Sequence, residues 1–390
     1  MTARVRSAFR QSPRELFPIS VSCPAYASEL FFLSSRRIVT ADAHSIGTDI
    51  SRVLSMRIND RRTLLASAIF LVLQIMGCGS DSVDHNSQGT VFDYSPPTSE
   101  QLMEIQALWA SRDLSASNVL VVHQNDSNAT YQLRIYEHTV GGRRHYGAVT
   151  IPKSDSARSY PVVLFADGLD QGNPTMDVGR WEQSAQYRLG QAIFVVPIFR
   201  GRTLIYNGLS FTADGDFCDA YDGATDDAIA LLNVVEDQVP EADFSRLMVR
   251  GGSRGGNIAL LLAERDERVT VAASASGPTD FYRETVAAQY GAQYRCQFIT
   301  GKTQVQSRQR MLASSPLHFP VLPGVARVYI DHGEQDTVVP LWNGAEMAAK
   351  LQTQQVQVQY RSYPGYGHDL GASSEFQAVQ AQIYEDFLRQ

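Results

Sequence analysis

The stretch LMVRGGSRGGNIALLL, residues 247–262, decides the fold of this 390-residue chain. An apolar run of strand length ends at Val249, four glycines surround Ser253, and apolar residues then return at helical spacing. Glycine is costly inside strands and helices, so four glycines around one serine predict a turn too tight for larger side chains. The stretch therefore predicts a strand, a sharp turn at Ser253 and a helix.

The turn carries the pattern G-x-S-x-G, from Gly251 to Gly255. Between a strand and a helix, this pattern is typical of a nucleophile elbow, which holds a serine hydroxyl out at the edge of a sheet. The backbone N–H of Arg254, at the predicted helix start, can then face an oxyanion. We therefore predict Ser253 as a nucleophile and the Arg254 N–H as an oxyanion donor.

Strands and helices alternate over residues 115–390, which we expect to form one domain. Segments 118–124, 130–138 and 145–152 are typical of antiparallel strands, and the continuous apolar runs 160–166 and 192–199 of strands buried on both faces. The alternation predicts an α/β fold with a mostly parallel, doubly wound sheet and antiparallel N-terminal strands. Residues 277–320 interrupt the rhythm and predict a cap-like insertion over the binding crevice.

A nucleophilic serine needs a base, and the base needs a carboxylate that orients it. A nucleophile elbow predicts the chain order Ser, then Asp or Glu, then His. Asp336 follows the predicted strand 326–333, and His368 lies in a Gly-flanked loop after the next strand, 356–364. Both loops belong to the same edge of the sheet as Ser253. We therefore predict a catalytic triad of Ser253, Asp336 and His368.

Two other acids and one other histidine lie near this triad in the sequence. Glu334 is a weaker second choice for the acid. Asp369 adjoins His368, so its side chain would reach back to the imidazole poorly. His332 precedes a glycine at a strand end, which is more typical of a residue that shapes the Asp336 loop.

Several motifs together resemble the catalytic domain of the prolyl oligopeptidase family, within the α/β-hydrolase superfamily. They are VRGGSRGG, HGEQDTVVP and YPGYGH, with a weaker match at PIFRGR. The resemblance covers roughly residues 159–390. It implies an α/β-hydrolase fold with a small helical cap insertion, and a serine hydrolase that works through an acyl-enzyme.

The chain departs from this family at the loop that supplies the second oxyanion donor. The family usually has His-Gly-Gly or Tyr-Gly-Gly there, whereas this chain has Asp167-Gly168-Leu169. Because an ionised carboxylate cannot donate a hydrogen bond, we assign this donor to the backbone N–H of Leu169 or Gly168.

The substrate class stays open at this point. Prolyl oligopeptidases carry a large β-propeller, and only about 80 residues separate Cys78 from the hydrolase sheet, too few for a propeller. We expect a small ester, or the ester or amide of a short peptide, as substrate. A serine-type oligopeptidase is the alternative. A catalytically inactive surface binding lipoprotein is the alternative from another class, and Asp167 is its best support.

The N-terminal part of the chain resembles a bacterial lipoprotein signal. Three arginines (57, 61 and 62) precede an apolar run, Thr63 to Met76, which ends in Gly77-Cys78. The run has the length of a signal-peptide core and is too short to span a bilayer comfortably; the alternative is a short core helix. The resemblance implies a signal peptide over 56–77, lipid on Cys78, and a place in the bacterial cell envelope, at the outer membrane or the periplasmic face.

Two flanking segments complete the predicted organisation. Residues 78–114 are predicted to form a polar tether and an N-terminal segment. Residues 1–55 are an arginine- and serine-rich extension, which is either a transit peptide or an untranslated stretch before a true start at Met56. We favour the second interpretation.

Charge and cysteine content exclude some functions. The net charge is -7, and no basic patch interleaves with aromatic residues, so we expect no nucleic-acid partner. His and Cys never cluster at ligand spacing, so we predict no metal site and no cofactor. The carboxylate-rich stretch 208–227 favours a solvated acidic loop. Cys218 and Cys296 can pair in an oxidising periplasm.

Overall fold

The computed structural model of the protein describes residue 92 and residues 94–153, 159–170 and 172–390. The extension 1–55, the signal peptide 56–77 and Cys78 lie outside the described residues, so the conclusions drawn from them stay predictions. Among the helices of the described part, none has the length and apolar character that a membrane-spanning segment needs.

Within the described residues, nine strands form the central sheet. They are β1 (Ser117–Asn125), β2 (Tyr131–Val140), β3 (Arg143–Pro152), β4 (Tyr160–Ala166), β6 (Ile193–Ile198), β9 (Ala242–Gly252), β10 (Val269–Ala275), β11 (Arg327–Gly333) and β12 (Val358–Tyr363). Their order across the sheet is β1-β2-β3-β6-β4-β9-β10-β11-β12. The pairs β1–β2, β2–β3 and β3–β6 are antiparallel, and every later pair in this order, from β6–β4 to β11–β12, is parallel. The mostly parallel sheet with antiparallel N-terminal strands is confirmed.

Helices cover both faces of this sheet. They are α1 (Ser99–Ala110), α2 (Val178–Ala185), α3 (Asp222–Gln238), α4 (Arg254–Arg265), α5 (Glu284–Tyr294), α6 (Gln304–Ala313), α7 (Trp342–Thr353) and α8 (Ser374–Leu388). One face packs against apolar residues of α3, α4 and α7, and the other against α2 and α8. Strands β4 and β6 are buried almost throughout, as their continuous apolar runs predict.

Two elements of the fold are not predicted by the sequence analysis. A small second sheet joins β5 (Thr175–Asp177), β7 (Thr203–Tyr206) and β8 (Leu209–Thr212). Its hairpin turns at Asn207-Gly208, where both residues have positive φ, and Asn-Gly is the strongest short hairpin signal. Helix α1, within the segment 78–114, buries Ile105 and Trp109 against the domain.

The insertion 277–320 is helical, and a disulfide ties it to the rest of the domain. It contains α5, α6, a π-helical turn at Arg295–Ile299 and a 3₁₀ turn at Pro316–His318. Its apolar side chains and those of α1 form a third hydrophobic cluster, separate from the two that cover the faces of the sheet. Its members include Ile105, Trp109, Tyr221, Phe281 and Phe298. Cys296 of the insertion is bonded to Cys218, with the two Cα atoms 5.3 Å apart.

The expectation of a solvated acidic loop over 208–227 is wrong for its last part. The final aspartates of the stretch lie in the first turns of α3 and are buried or half-buried. Arginines from distant parts of the chain neutralise them, which a local pattern of acidic residues cannot reveal. The pairs are Arg112 and Arg265 with both Asp222 and Asp226, and Arg200 with Asp227.

Candidate active site

Ser253 occupies the turn between β9 and α4, as the glycine pattern predicts. Its φ of 54° and ψ of -123° are unusual for a residue with a side chain, and such strain costs roughly 1–3 kcal/mol. The turn is held on both sides, because the Ser253 N–H donates to the Ala275 carbonyl at 2.8 Å and its carbonyl accepts from the Gly256 N–H at 2.9 Å. Neighbouring strand β10 and helix α4 therefore fix the serine in its strained conformation.

Two glycines of the motif are required by close backbone approach. A Cβ on Gly251 would lie 2.4 Å from the Ala166 carbonyl oxygen, and a Cβ on Gly255 would lie 2.0 Å from the same atom. Both distances are far below van der Waals contact. The end of β4 therefore presses directly against the serine turn, and only glycine fits between them.

The predicted base and acid lie together after the ends of β12 and β11. His368 Nδ1 is 2.8 Å from Asp336 Oδ2, so the N–H at Nδ1 donates to the carboxylate and leaves Nε2 as the acceptor of the neutral ring. The other carboxylate oxygen accepts the N–H groups of Val338 and Val339, at 2.9 and 2.8 Å. This arrangement orients the imidazole through a carboxylate that is itself held by the backbone.

The surroundings of Asp336 favour its ionised form. Burial alone would raise the pKa of this carboxyl, but the imidazoles of His332 and His368 outweigh burial and hold the pKa well below its ordinary value. His332 is fully buried, and its Nε2 donates to the Val339 carbonyl at 2.8 Å, across the loop that carries Asp336. His332 thus contacts this loop as the sequence analysis predicts.

The two alternative acids make other contacts. Glu334 accepts a hydrogen bond from the Ser362 hydroxyl at 2.7 Å, and Asp369 accepts one from the Gly371 N–H at 2.7 Å. Among the described residues, Asp336 is the carboxylate within ion-pairing distance of His368. Ser253 and His368 line one cavity of about 400 Å³, and Asp336 lies behind the imidazole.

The two candidates for the second oxyanion donor, Gly168 and Leu169, have different surroundings. Gly168 lines the cavity, and a Cβ on it would lie 3.9 Å from the Ser253 Cβ. Leu169 packs instead against the third hydrophobic cluster. Arg254, the other predicted donor, is the first residue of α4, so its N–H belongs to the unpaired first turn of that helix.

Asp167 has a role that the sequence analysis did not predict. Its carboxylate binds the Arg254 guanidinium at 2.7 Å and also pairs with Arg202. The Arg254 side chain is 1% exposed, stacks over the Phe199 ring at 4.5 Å, and donates to the Gly168 carbonyl at 2.9 Å. This cluster fastens the Asp167-Gly168 loop to the start of α4. The sequence does contain a signal for this ion pair. Asp167 is an acid where the family usually has His or Tyr, and its partner Arg202 lies in the PIFRGR motif.

Contrary to our expectation, the insertion 277–320 does not line this cavity. Within the described chain, the residues that line the cavity come from β4, β9, β10, the loops or turns that follow these three strands, the His368 loop and α8, and none comes from 277–320. The insertion packs on α1 instead, because its aromatic side chains find apolar partners there. No group of three or more potential metal ligands occurs among the described residues.

Comparisons with known proteins agree with this geometry. A family model described as the prolyl oligopeptidase family matches residues 191–390. The chain belongs to the prolyl oligopeptidase family. It is therefore a serine hydrolase of ester or peptide bonds. A comparison with curated protein sequences finds no match.

Solved structures similar to this family member share its fold. An acetyl xylan esterase from Thermoanaerobacterium is 17% identical, with a TM-score of 0.54, and the match covers 73% of this chain and 94% of that one. An acetyl xylan esterase from Paenibacillus is 20% identical, with a TM-score of 0.52 over 75% and 97%. A Pyrococcus horikoshii acylaminoacyl peptidase is 15% identical, with a TM-score of 0.52, and the chain spans 42% of its length against 67% of its own.

Replacing Asp167 by Asn is expected to damage both stability and turnover. The change leaves the buried Arg254 cation without its carboxylate, which costs about 3–5 kcal/mol of unfolding free energy. It also loosens the loop that carries Gly168, and losing one oxyanion donor lowers kcat about 10²–10³-fold. Urea unfolding and ester hydrolysis measure the two effects. The exposed Asp170, three residues later, provides the matched control Asp170→Asn, and equal behaviour of the two variants would contradict the role of Asp167.

Proposed function

We propose that this protein hydrolyses small carboxylic esters, or esters and amides of short peptides, through an acyl-enzyme on Ser253. The observation that carries the proposal is the shared cavity. A serine on a strained turn and an imidazole oriented by a buried carboxylate line the same space of about 400 Å³. These are the parts that nucleophilic acyl transfer needs in one place.

In the proposed reaction, the Ser253 Oγ attacks the carbonyl carbon of the substrate while His368 Nε2 takes the hydroxyl proton. Asp336 holds the Nδ1–H and stabilises the imidazolium that forms. The N–H groups of Arg254 and of the Gly168–Leu169 loop stabilise the oxyanion. His368 then gives the proton to the leaving group. Water repeats the sequence on the acyl-enzyme and releases the carboxylic acid.

The sequence leaves two alternatives to a small-ester hydrolase, a serine-type oligopeptidase and a catalytically inactive binding lipoprotein. Family membership favours the second candidate, a serine-type oligopeptidase. The third candidate, an inactive binding lipoprotein, drew its support from the acid at position 167. That support weakens because Asp167 pairs with two arginines and does not project an uncompensated charge toward the serine.

Replacing Ser253 by Ala is expected to lower kcat at least about 10⁴-fold with the fold intact, because the nucleophile is lost. The readout is release of 4-nitrophenol from 4-nitrophenyl acetate and of 4-nitroaniline from aminoacyl 4-nitroanilides. Ser362→Ala, at the half-buried Ser362 whose hydroxyl donates to Glu334, is the matched control. Turnover of the acetate without turnover of the anilides supports the esterase, turnover of the anilides supports the peptidase, and turnover unchanged by Ser253→Ala refutes the assignment.

We further propose that lipid on Cys78 anchors the protein in the bacterial cell envelope, at the outer membrane or periplasmic face. The support is the order of arginines, apolar run, glycine and cysteine over residues 57–78. The full-length protein made in a bacterium is expected to partition into detergent, and Cys78→Ser is expected to release it to the aqueous phase. Ser80→Ala, two residues after Cys78, is the matched control. A Cys78→Ser protein that stays with the detergent would contradict the anchor.

A further inference from the structure

The cavity beside Ser253 extends away from the triad between the sheet and α8. The register of three parallel strands places Phe165, Arg250 and Ala273 side by side, and all three line the cavity. Phe376 and Gln380 of α8 line it from the other side. The cationic side chain of Arg250 therefore lies between two apolar side chains, Phe165 and Ala273, on the neighbouring strands.

The guanidinium of Arg250 forms no ion pair with a carboxylate in the part of the chain that the structure describes. Its Nη2 donates to the amide oxygen of Gln380 at 3.1 Å, and the Gln380 amide nitrogen donates to Asp331 Oδ2 at 2.9 Å. The Gln380 amide thus lies between Arg250 and Asp331. The other carboxylate oxygen of Asp331 accepts a hydrogen bond from the Tyr363 hydroxyl at 2.8 Å. Among the described residues, no carboxylate lies within ion-pairing distance of Arg250.

Three other arginines of the described residues with buried side chains do have carboxylate partners. Arg254 and Arg202 share Asp167, and Arg265 binds two aspartates of α3. Burial, with a smaller contribution from nearby Arg188, lowers the pKa of Arg250 to about 10, so the group is still a cation at neutral pH. Arg250 is half-buried beside the cavity, and a guanidinium without a carboxylate partner there can bind the anion of a ligand.

The part of the substrate that reaches this cavity follows from the proposed reaction. His368 must deliver a proton to the leaving group, and its side chain is 26% exposed whereas that of Asp336 is fully buried. In the binding mode that we infer, the leaving group departs toward solvent and the acyl group occupies the cavity that His368 and Ser253 line. Asp369 also lines the cavity, but it is exposed, so water screens its charge.

We propose that Arg250 binds a carboxylate on the acyl group, so that the preferred substrates are esters of dicarboxylic acids or of similar acids with a second, anionic end. This inference rests on the proposed function, because it needs Ser253 to attack the ester at the mouth of the same cavity. The planar guanidinium suits a carboxylate, with which it can form two parallel hydrogen bonds.

The test compares two esters whose acyl chains match in length and differ in the charge at the far end. They are the mono-4-nitrophenyl ester of adipic acid and 4-nitrophenyl heptanoate. We expect wild-type kcat/KM to favour the adipate ester roughly ten- to a hundredfold, the range of a hydrogen bond to a charged group. In Arg250→Gln this ratio is expected to fall to about one. Arg188→Gln makes the same change of charge outside the cavity lining, and is expected to keep the ratio.

Each other result counts against the inference. A wild-type protein that hydrolyses the heptanoate as well as the adipate ester overturns it and leaves the proposed hydrolase standing. A ratio lost equally in Arg188→Gln shows long-range attraction rather than contact, and also overturns it. Turnover of neither ester by folded wild-type protein overturns this inference, and it overturns the proposed function as well where 4-nitrophenyl acetate and the aminoacyl 4-nitroanilides are also left intact. If Arg250→Gln does not fold, the wild-type ratio of kcat/KM for the two esters still tests the preference for an anionic acyl group.

Discussion

Asp167 binds the guanidinium groups of Arg254 and Arg202 together, and the arrangement of the active site depends on this contact. It joins the end of β4 to the start of α4, which are the two segments that carry the predicted oxyanion donors. A buried ion pair of this kind adds little net stability, but removal of one partner leaves a costly buried charge. The contact therefore specifies geometry: the loop at Gly168 has one favourable position relative to the serine turn.

The central sheet positions the three predicted catalytic residues relative to one another. Ser253, Asp336 and His368 follow the ends of β9, β11 and β12, which are parallel strands of one sheet, so their loops meet at one edge. The strain at Ser253 is maintained because β10 and α4 hold both of its backbone polar groups. The close approach of the Ala166 carbonyl to Gly251 and Gly255 leaves the turn no room to relax.

Local patterns predicted the parts of this protein that depend on neighbours in sequence. The glycines around Ser253 and the chain order of acid and base were sufficient to predict the strand, the turn, the helix and the pairing of Asp336 with His368. The missed features depend on distant partners. Asp167 meets its arginines across 35 and 87 residues, and the aspartates of α3 meet Arg112 across more than 100. The isolation of Arg250 from carboxylates is likewise a property of the packed structure.

The most direct test of this account is a crystal structure of the protein after reaction with a fluorophosphonate. The account predicts phosphorus bonded to the Ser253 Oγ, with the phosphonyl oxygen in hydrogen-bonding reach of the N–H groups of Arg254 and of the Gly168–Leu169 loop. It also predicts an intact bridge from Asp167 to both arginines. A folded protein with an unmodified Ser253, or a phosphonyl oxygen turned away from both N–H groups, would contradict the claim that this serine is activated beside a preformed oxyanion hole.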